Sequence, residues 1–284
     1  MKRWSARPLA VLAMVVAILI GTTGPAQANH AWSTYHWATT LSPAAPTFTL
    51  QLGDSMTLNW KEHLSTASAD WSSVAYDGQT DKFNNFVTNP LHTDIVTGAN
   101  AGKKRCGAVS GRVEVCNGAY GQNGWLGLAQ IWLSNGHIVQ GVAKMNDTYF
   151  SLDKYNNRYE KLHVVCQEVG HTFGLGHQDE SGASLNTCMD YFSNTGTNAI
   201  DKSTHPNVHD YGQLTAIYSH NDGYTSVAAT AAAAAVVRGL GGEAGADGQG
   251  TPAGAAQARG SWYVQDLGSG RALITHIYWA DGGN

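Results

Sequence analysis

The chain has 284 residues and a formal charge of -4; 43% of its residues are hydrophobic and only 13% charged. With 9 Trp, 12 Tyr and 6 Phe it is too apolar to be disordered throughout. The absence of a basic excess argues against a nucleic-acid partner held by counterion release.

Residues 1–28 read as a secretory signal peptide. Lys2, Arg3 and Arg7 form a basic start, Leu9 to Ile20 is an apolar run of 12 residues, and Ala26-Gln27-Ala28 is a small-x-small cleavage site. The run is shorter than the ~20 residues of a spanning helix. Cleavage after Ala28 is expected, followed by secretion as a soluble chain with no membrane contact. The mature chain then carries 14 basic against 21 acidic residues, a surface suited to a soluble exported protein. Its four cysteines, Cys106, Cys116, Cys166 and Cys188, form an even set without paired CxxC spacing, which points to two disulfides rather than a thiolate metal site. Three connectivities exist. Cys106–Cys116 would close a short loop, and Cys166–Cys188 would tie the central motif to the segment after it.

Phe48, Leu50 and Leu52 alternate in a strand pattern. Asp54 or Ser55 is placed to cap a helix with Leu58, Leu64, Ala67 and Trp71 on its apolar face. Residues 72–120, rich in Gly, Asn and Thr, read as loops with short strands. Leu126 to Leu133 and Ile138 to Met145 read as strands joined by a Ser134-Asn135-Gly136 turn. Asn157 to Phe173 has a helical stripe of Tyr159, Leu162, Val165, Val169 and Phe173. Asn207 or Asp210 is placed to start a further helix. Residues 225–260 read as an Ala/Gly-rich linker. Residues 261–284 read as a β-hairpin around Asp266 to Gly270, which needs to dock on the main domain or a partner to be stable.

The chemistry concentrates in Gln167-Glu168-Val169-Gly170-His171-Thr172-Phe173-Gly174-Leu175-Gly176-His177. Gln167 and His171 lie one helical turn apart on one face. Gly174 can end the helix with a positive φ, and the chain can then bring His177 back to the same point. Such a site holds three ligands with one position open for water, the arrangement of a catalytic zinc, with Glu168 beside it to take the proton of an acidified water.

These residues resemble the metzincin zinc peptidases, whose signature is HExxHxxGxxH followed by a methionine turn. Glu168, His171, Gly174 and His177 match in register, and Thr187-Cys188-Met189-Asp190-Tyr191 looks like the turn. Leu128-Ala129-Gln130-Ile131 looks like the strand that precedes the site in matrixin-like secreted bacterial members. The resemblance covers roughly residues 30–222. It implies an α+β domain over 29–224 with a twisted mixed sheet, an active-site helix, the methionine turn and a C-terminal helix. It also implies a secreted, monomeric zinc endopeptidase that binds a polypeptide substrate along an edge strand. His171 and His177 would be ligands and Glu168 the general base; Met189 would floor the metal, and Tyr191 would stand near the metal or the oxyanion.

The first signature position is Gln167, not His. A neutral amide oxygen is a weaker ligand than imidazole, so Gln167 is expected as a weak third ligand. Another divalent metal, or a catalytically weak relative that serves as an extracellular binding module, are the alternatives. His163, about 12 Å of helix rise from His171, cannot share its metal. His205 and His209 are expected to have surface or capping roles. His30, His36, His63, His92, His137, His220 and His276 show no ligand spacing. Asn146-Asp147-Thr148 is a glycosylation sequon, and the Asp/Asn cluster from Asp77 to Asn85 lacks an ordered calcium loop.

Overall fold

A computed structural model of the chain describes residues 30–72, 84–85, 87–103, 105–228, 251–252 and 262–280. The segments read above as signal peptide and, for the most part, as linker, with most of the Asp77–Asn85 cluster, lie outside the described residues. The fold is mixed α+β. Its strands are β1 (His36–Trp37), β2 (Phe48–Ser55), β3 (Leu91–Thr97), β4 (Val113–Gly118), β5 (Trp125–Ser134), β6 (His137–Asn146), β7 (Thr251–Pro252), β8 (Trp262–Gly268) and β9 (Arg271–Trp279). Its helices are α1 (Leu58–Ser72), α2 (Asp147–Phe150), α3 (Arg158–His171) and α4 (Val208–Ile217).

The strands form one mixed sheet in the order β3-β2-β4-β6-β5-β9-β8-β7, with β1 paired to β6. The pairs β2–β3, β2–β4, β4–β6 and β1–β6 are parallel, whereas β5 runs antiparallel to both β6 and β9. The β5–β6 hairpin turns at Asn135 and Gly136, both at positive φ (50° and 85°), the conformation a two-residue turn needs to match strand twist. Helix α1 packs on α3, and α3 packs across β5 and β6. Trp37, Leu50, Leu52, Leu64, Trp71, Leu126, Ile131, Val165, Val169 and Phe173 fill the shared core.

Two expectations for α1 change. Strand β2 runs through Asp54 and Ser55, so these residues end a strand instead of capping the helix. Leu58 is 83% exposed, and Trp60 is the buried residue of that first turn. The stretch read as loops with short strands contributes two sheet members, β3 and β4. Helix α3 is capped by the Asn157 side chain, which accepts from the Glu160 N–H. A capping box of Asn207 and Asp210 starts α4.

Both disulfides join the pairs named above. Cys106–Cys116 brings its Cα atoms to 6.0 Å and Cys166–Cys188 to 5.9 Å. The second fastens α3 to the Thr187–Tyr191 turn. Such bridges fit an oxidising compartment. Among the described residues no helix is long and apolar enough to cross a membrane. The sequon asparagine is a structural residue: Asn146 is fully buried, and its amide nitrogen turns inward to Gly121 O, Asn123 Oδ1 and Trp125 O.

The C-terminal hairpin docks on its own chain. Strand β9 adds to β5 along nearly its whole length, with Ile274 opposite Ile131 and His276 opposite Ala129. The Gln130 amide donates to Thr275 Oγ1 at 3.1 Å. The Tyr278 hydroxyl donates to the Phe192 carbonyl at 2.6 Å, and the Trp279 N–H donates to the Tyr191 hydroxyl at 3.2 Å.

His163 is fully buried in α3 beside Phe192 and Tyr278, with its Nδ1 on the Ser203 carbonyl. Burial pushes its pKa down to about 4 from 6.5. Between those values the unfolded chain binds a proton that the folded chain refuses, so stability is lost as pH falls from 7 toward 4. A His163→Gln chain lacks this term. In urea unfolding its stability is expected to drop less than wild type between pH 7 and pH 4.5, by roughly 2–3 kcal/mol. Equal drops in the two chains would contradict it.

Candidate metal centre

Three imidazoles meet beneath the docked hairpin. His171 closes α3 and His177 follows six residues later. Between them Gly174, at φ +95°, turns the chain against the backbone of Tyr35. The third is His276, from the middle of β9. One ring nitrogen from each of these residues lies within 4.8 Å of the other two. The ring centroids are 4.0 Å apart for His171–His276, 4.7 Å for His177–His276 and 4.9 Å for His171–His177.

Each ring is oriented in the same sense. His171 Nδ1 is 2.8 Å from the Leu175 carbonyl, His177 Nδ1 is 3.2 Å from Glu180 Oε1, and His276 Nδ1 is 3.0 Å from Glu168 Oε2. A carbonyl or carboxylate oxygen can only accept, so in each neutral ring Nδ1 carries the hydrogen and Nε2 keeps its lone pair. All three Nε2 atoms are buried and have no hydrogen-bond partner. Three bare, inward lone pairs, each backed by an acceptor on the far ring nitrogen, form a donor set that fits a divalent metal. Burial drives the three pKa values down, to about 4 for His177, about 3 for His276 and well below 6.5 for His171. At neutral pH the rings are therefore uncharged bases, the form that binds metal.

Glu168 is fully buried, and desolvation raises its pKa well above 4.5. A cation among the imidazoles supplies the counter-charge that this carboxylate lacks. Its second oxygen, Oε1, has no hydrogen-bond partner. That oxygen lies against the backbone of β5, where a Cβ on Gly127 would come within 2.6 Å of it. Trp262 of β8 closes the top, with ring centroids 4.8, 5.2 and 4.4 Å from His171, His177 and His276, and it packs at a tilt against Trp32, centroids 4.2 Å apart. Its side chain also donates a hydrogen bond to Glu180.

Gln167 stands one turn before His171. Its amide nitrogen donates to the Cys188 and Asp190 carbonyls at 2.8 and 2.7 Å, and its Oε1 is buried without a partner. The turn rests on α3: Met189 is fully buried, and a Cβ on Gly170 would meet its sulfur at 2.6 Å. The Tyr191 ring packs 5.1 Å from His177 while its hydroxyl holds the hairpin.

The structure thus brings Glu168, His171, His177, Met189 and Tyr191 together and adds His276, a residue without ligand spacing in the sequence. The signals that could have found it are indirect: a missing first histidine in the motif, and a histidine between the apolar residues Ile274 and Ile277 of the hairpin strand. His205, expected near the surface, is buried and paired with Asp70, because α1 covers it. His209 stacks on His30 at 4.8 Å at the start of α4. No protein-family model matches the chain, and no curated protein matches it by sequence.

Proposed function

We propose that the chain is a secreted, metal-dependent endopeptidase of the metzincin type, with zinc as the favoured metal, held by His171, His177 and His276. The observation that carries this reading is the convergence of three buried, unpartnered Nε2 atoms beside the Glu168 carboxylate. Bound there, a divalent ion supplies a Lewis acid for a peptide carbonyl and for a water. The remaining work falls to the chain. Leu175, Glu180 and Glu168 hold the three rings in the ligating tautomer. Glu168 is the residue placed to take a proton from a nucleophilic water and return it to the leaving amine. Strand β5 is paired on both sides, with β6 and with β9, so it offers a polypeptide no free edge while β9 supplies His276; Gly127 lets β5 approach Glu168. Met189 supports the site from below, and Gln167 ties the methionine turn to α3.

A second reading is favoured by one observation: with β9 in place His171, His276 and Glu168 are fully buried and the His177 side chain is 1% exposed. A sealed centre suits a metal-stabilised binding module. Turnover separates the two. Zinc-loaded full chain is expected to cleave an unfolded polypeptide, and Glu168→Gln, compared at saturating zinc, is expected to lower the rate by about 10²–10⁴-fold. Stoichiometric metal without turnover in the parent chain would replace the peptidase reading with the binding module.

A further inference from the structure

A second group of imidazoles gathers at the far end of β6. His36 comes from β1, and its register partner His137 opens β6. His220 and Asp222 follow α4. The Nε2 atoms of His36, His137 and His220 lie 3.3, 3.2 and 3.0 Å from one oxygen, Asp222 Oδ1. His36 Nε2 and His220 Nε2 are themselves 3.0 Å apart. The other carboxylate oxygen, Oδ2, is occupied by the Thr39 N–H at 2.8 Å.

Hydrogen bonding of neutral rings does not account for the contact between His36 and the carboxylate. His36 Nδ1 is 2.8 Å from the Thr34 carbonyl, which can only accept, so Nδ1 holds the hydrogen and Nε2 presents a lone pair. That lone pair faces the Asp222 oxygen, itself an acceptor, at 3.3 Å. Three ring nitrogens also crowd a single carboxylate oxygen. A cation at their centre resolves both conflicts. Zinc bonds of about 2.0–2.2 Å in a tetrahedron place ligand atoms roughly 3.3 Å apart, close to the 3.0–3.3 Å separations among His36 Nε2, His220 Nε2 and Asp222 Oδ1. The Tyr224 hydroxyl, 2.9 Å from His137 Nδ1, supports that ring from behind.

We infer that His36, His220 and Asp222 form a second metal site for zinc or a similar borderline divalent ion, with the His137 imidazole held against the same Asp222 oxygen. It shares no residue with the first centre, and its role is structural, because its ligands come from segments far apart in the chain. It fastens the N-terminal strand and the segment after α4 to the β5–β6 hairpin. The His220 ring is 48% exposed and gives the ion its way in.

The test uses the full secreted chain with zinc alone as probe, in a His171→Ala background that disables the first centre. It does not depend on that centre's being catalytic. Equilibrium dialysis is expected to find one zinc per chain, and zinc is expected to raise the Tm. Adding His220→Ala, a half-exposed position whose loss leaves the core intact, is expected to weaken this binding by roughly 100-fold or more and to abolish the thermal shift. Adding Asp222→Asn, which keeps an acceptor for the Thr39 N–H, is expected to do the same. Zinc bound equally with and without these changes, or no zinc in the His171→Ala chain, overturns the site.

Discussion

Replacing His276 by alanine is expected to cost the first centre its metal. The histidine sits 99 residues beyond His177 in the chain, yet its ring lies 4.0 Å from that of His171. Removing a residue that only orients a ligand typically lowers metal affinity 10–100-fold, so removing one of three imidazoles is expected to lower it by more than about 100-fold. Competition dialysis against a chelator measures this as one zinc equivalent lost from the full chain. Gln167→Ala is expected to lose less, because its amide nitrogen serves the turn carbonyls of Cys188 and Asp190. The hairpin remains docked in the His276→Ala chain through β5–β9 pairing and Trp262, which near-ultraviolet circular dichroism reports. Metal retained in His276→Ala and lost in Gln167→Ala would return the third position to Gln167.

Gly174→Ala is expected to be the most damaging small substitution in the α3-to-His177 segment. The residue has φ +95°, and an added Cβ would stand 2.1 Å from the Tyr35 carbonyl oxygen. Backbone atoms cannot swing aside as a side chain can. Nearby, the Gly174 carbonyl accepts the Trp32 N–H at 2.6 Å, and Ala31 bridges Leu175. Strain of 1–3 kcal/mol at positive φ plus displacement of the N-terminal segment gives a loss on the order of 3 kcal/mol or more. For a chain of this length that is a fall in Tm of roughly 6–12 °C. Gly182→Ala is the internal control. It has φ +86° with nothing within 4 Å of the added atom, so it carries the strain without the collision and is expected to lose about 1 kcal/mol. Equal losses at the two positions would mean that the contact with Tyr35 is not what Gly174 protects.

Local signals read well in this chain because they are complete within a few residues. The caps at Asn157 and Asn207, the stripe of α3 and the Asn135-Gly136 turn each carry their own instructions. Strands β3 and β4 do not. They pair in parallel with a partner far along the chain, and β4 buries Glu114 beside Arg112, which breaks the apolar run a buried strand normally shows. The metal centres divide in the same way. His171, Glu168 and His177 belong to one helix and the turn after it, so their spacing is visible. His276 reaches them only because β9 aligns on β5, and His36 meets His220 only because β1 and the segment after α4 end at the same place. Cross-strand register decides the first and tertiary packing the second, and no periodicity within either segment encodes them.

The pairing of β9 with β5 also has a consequence for competition. The hairpin is a ligand for its own sheet, carried on the same polypeptide, so its occupancy of the β5 edge does not fall when the protein is diluted. A tethered segment acts at an effective concentration that can reach millimolar. A free extended peptide seeking that edge must match it while also displacing Trp262 and the imidazole of His276. Cutting the covalent connection between Ala228 and Trp262 would leave every contact in place and change only this arithmetic, turning a concentration-independent lock into one that dilution opens.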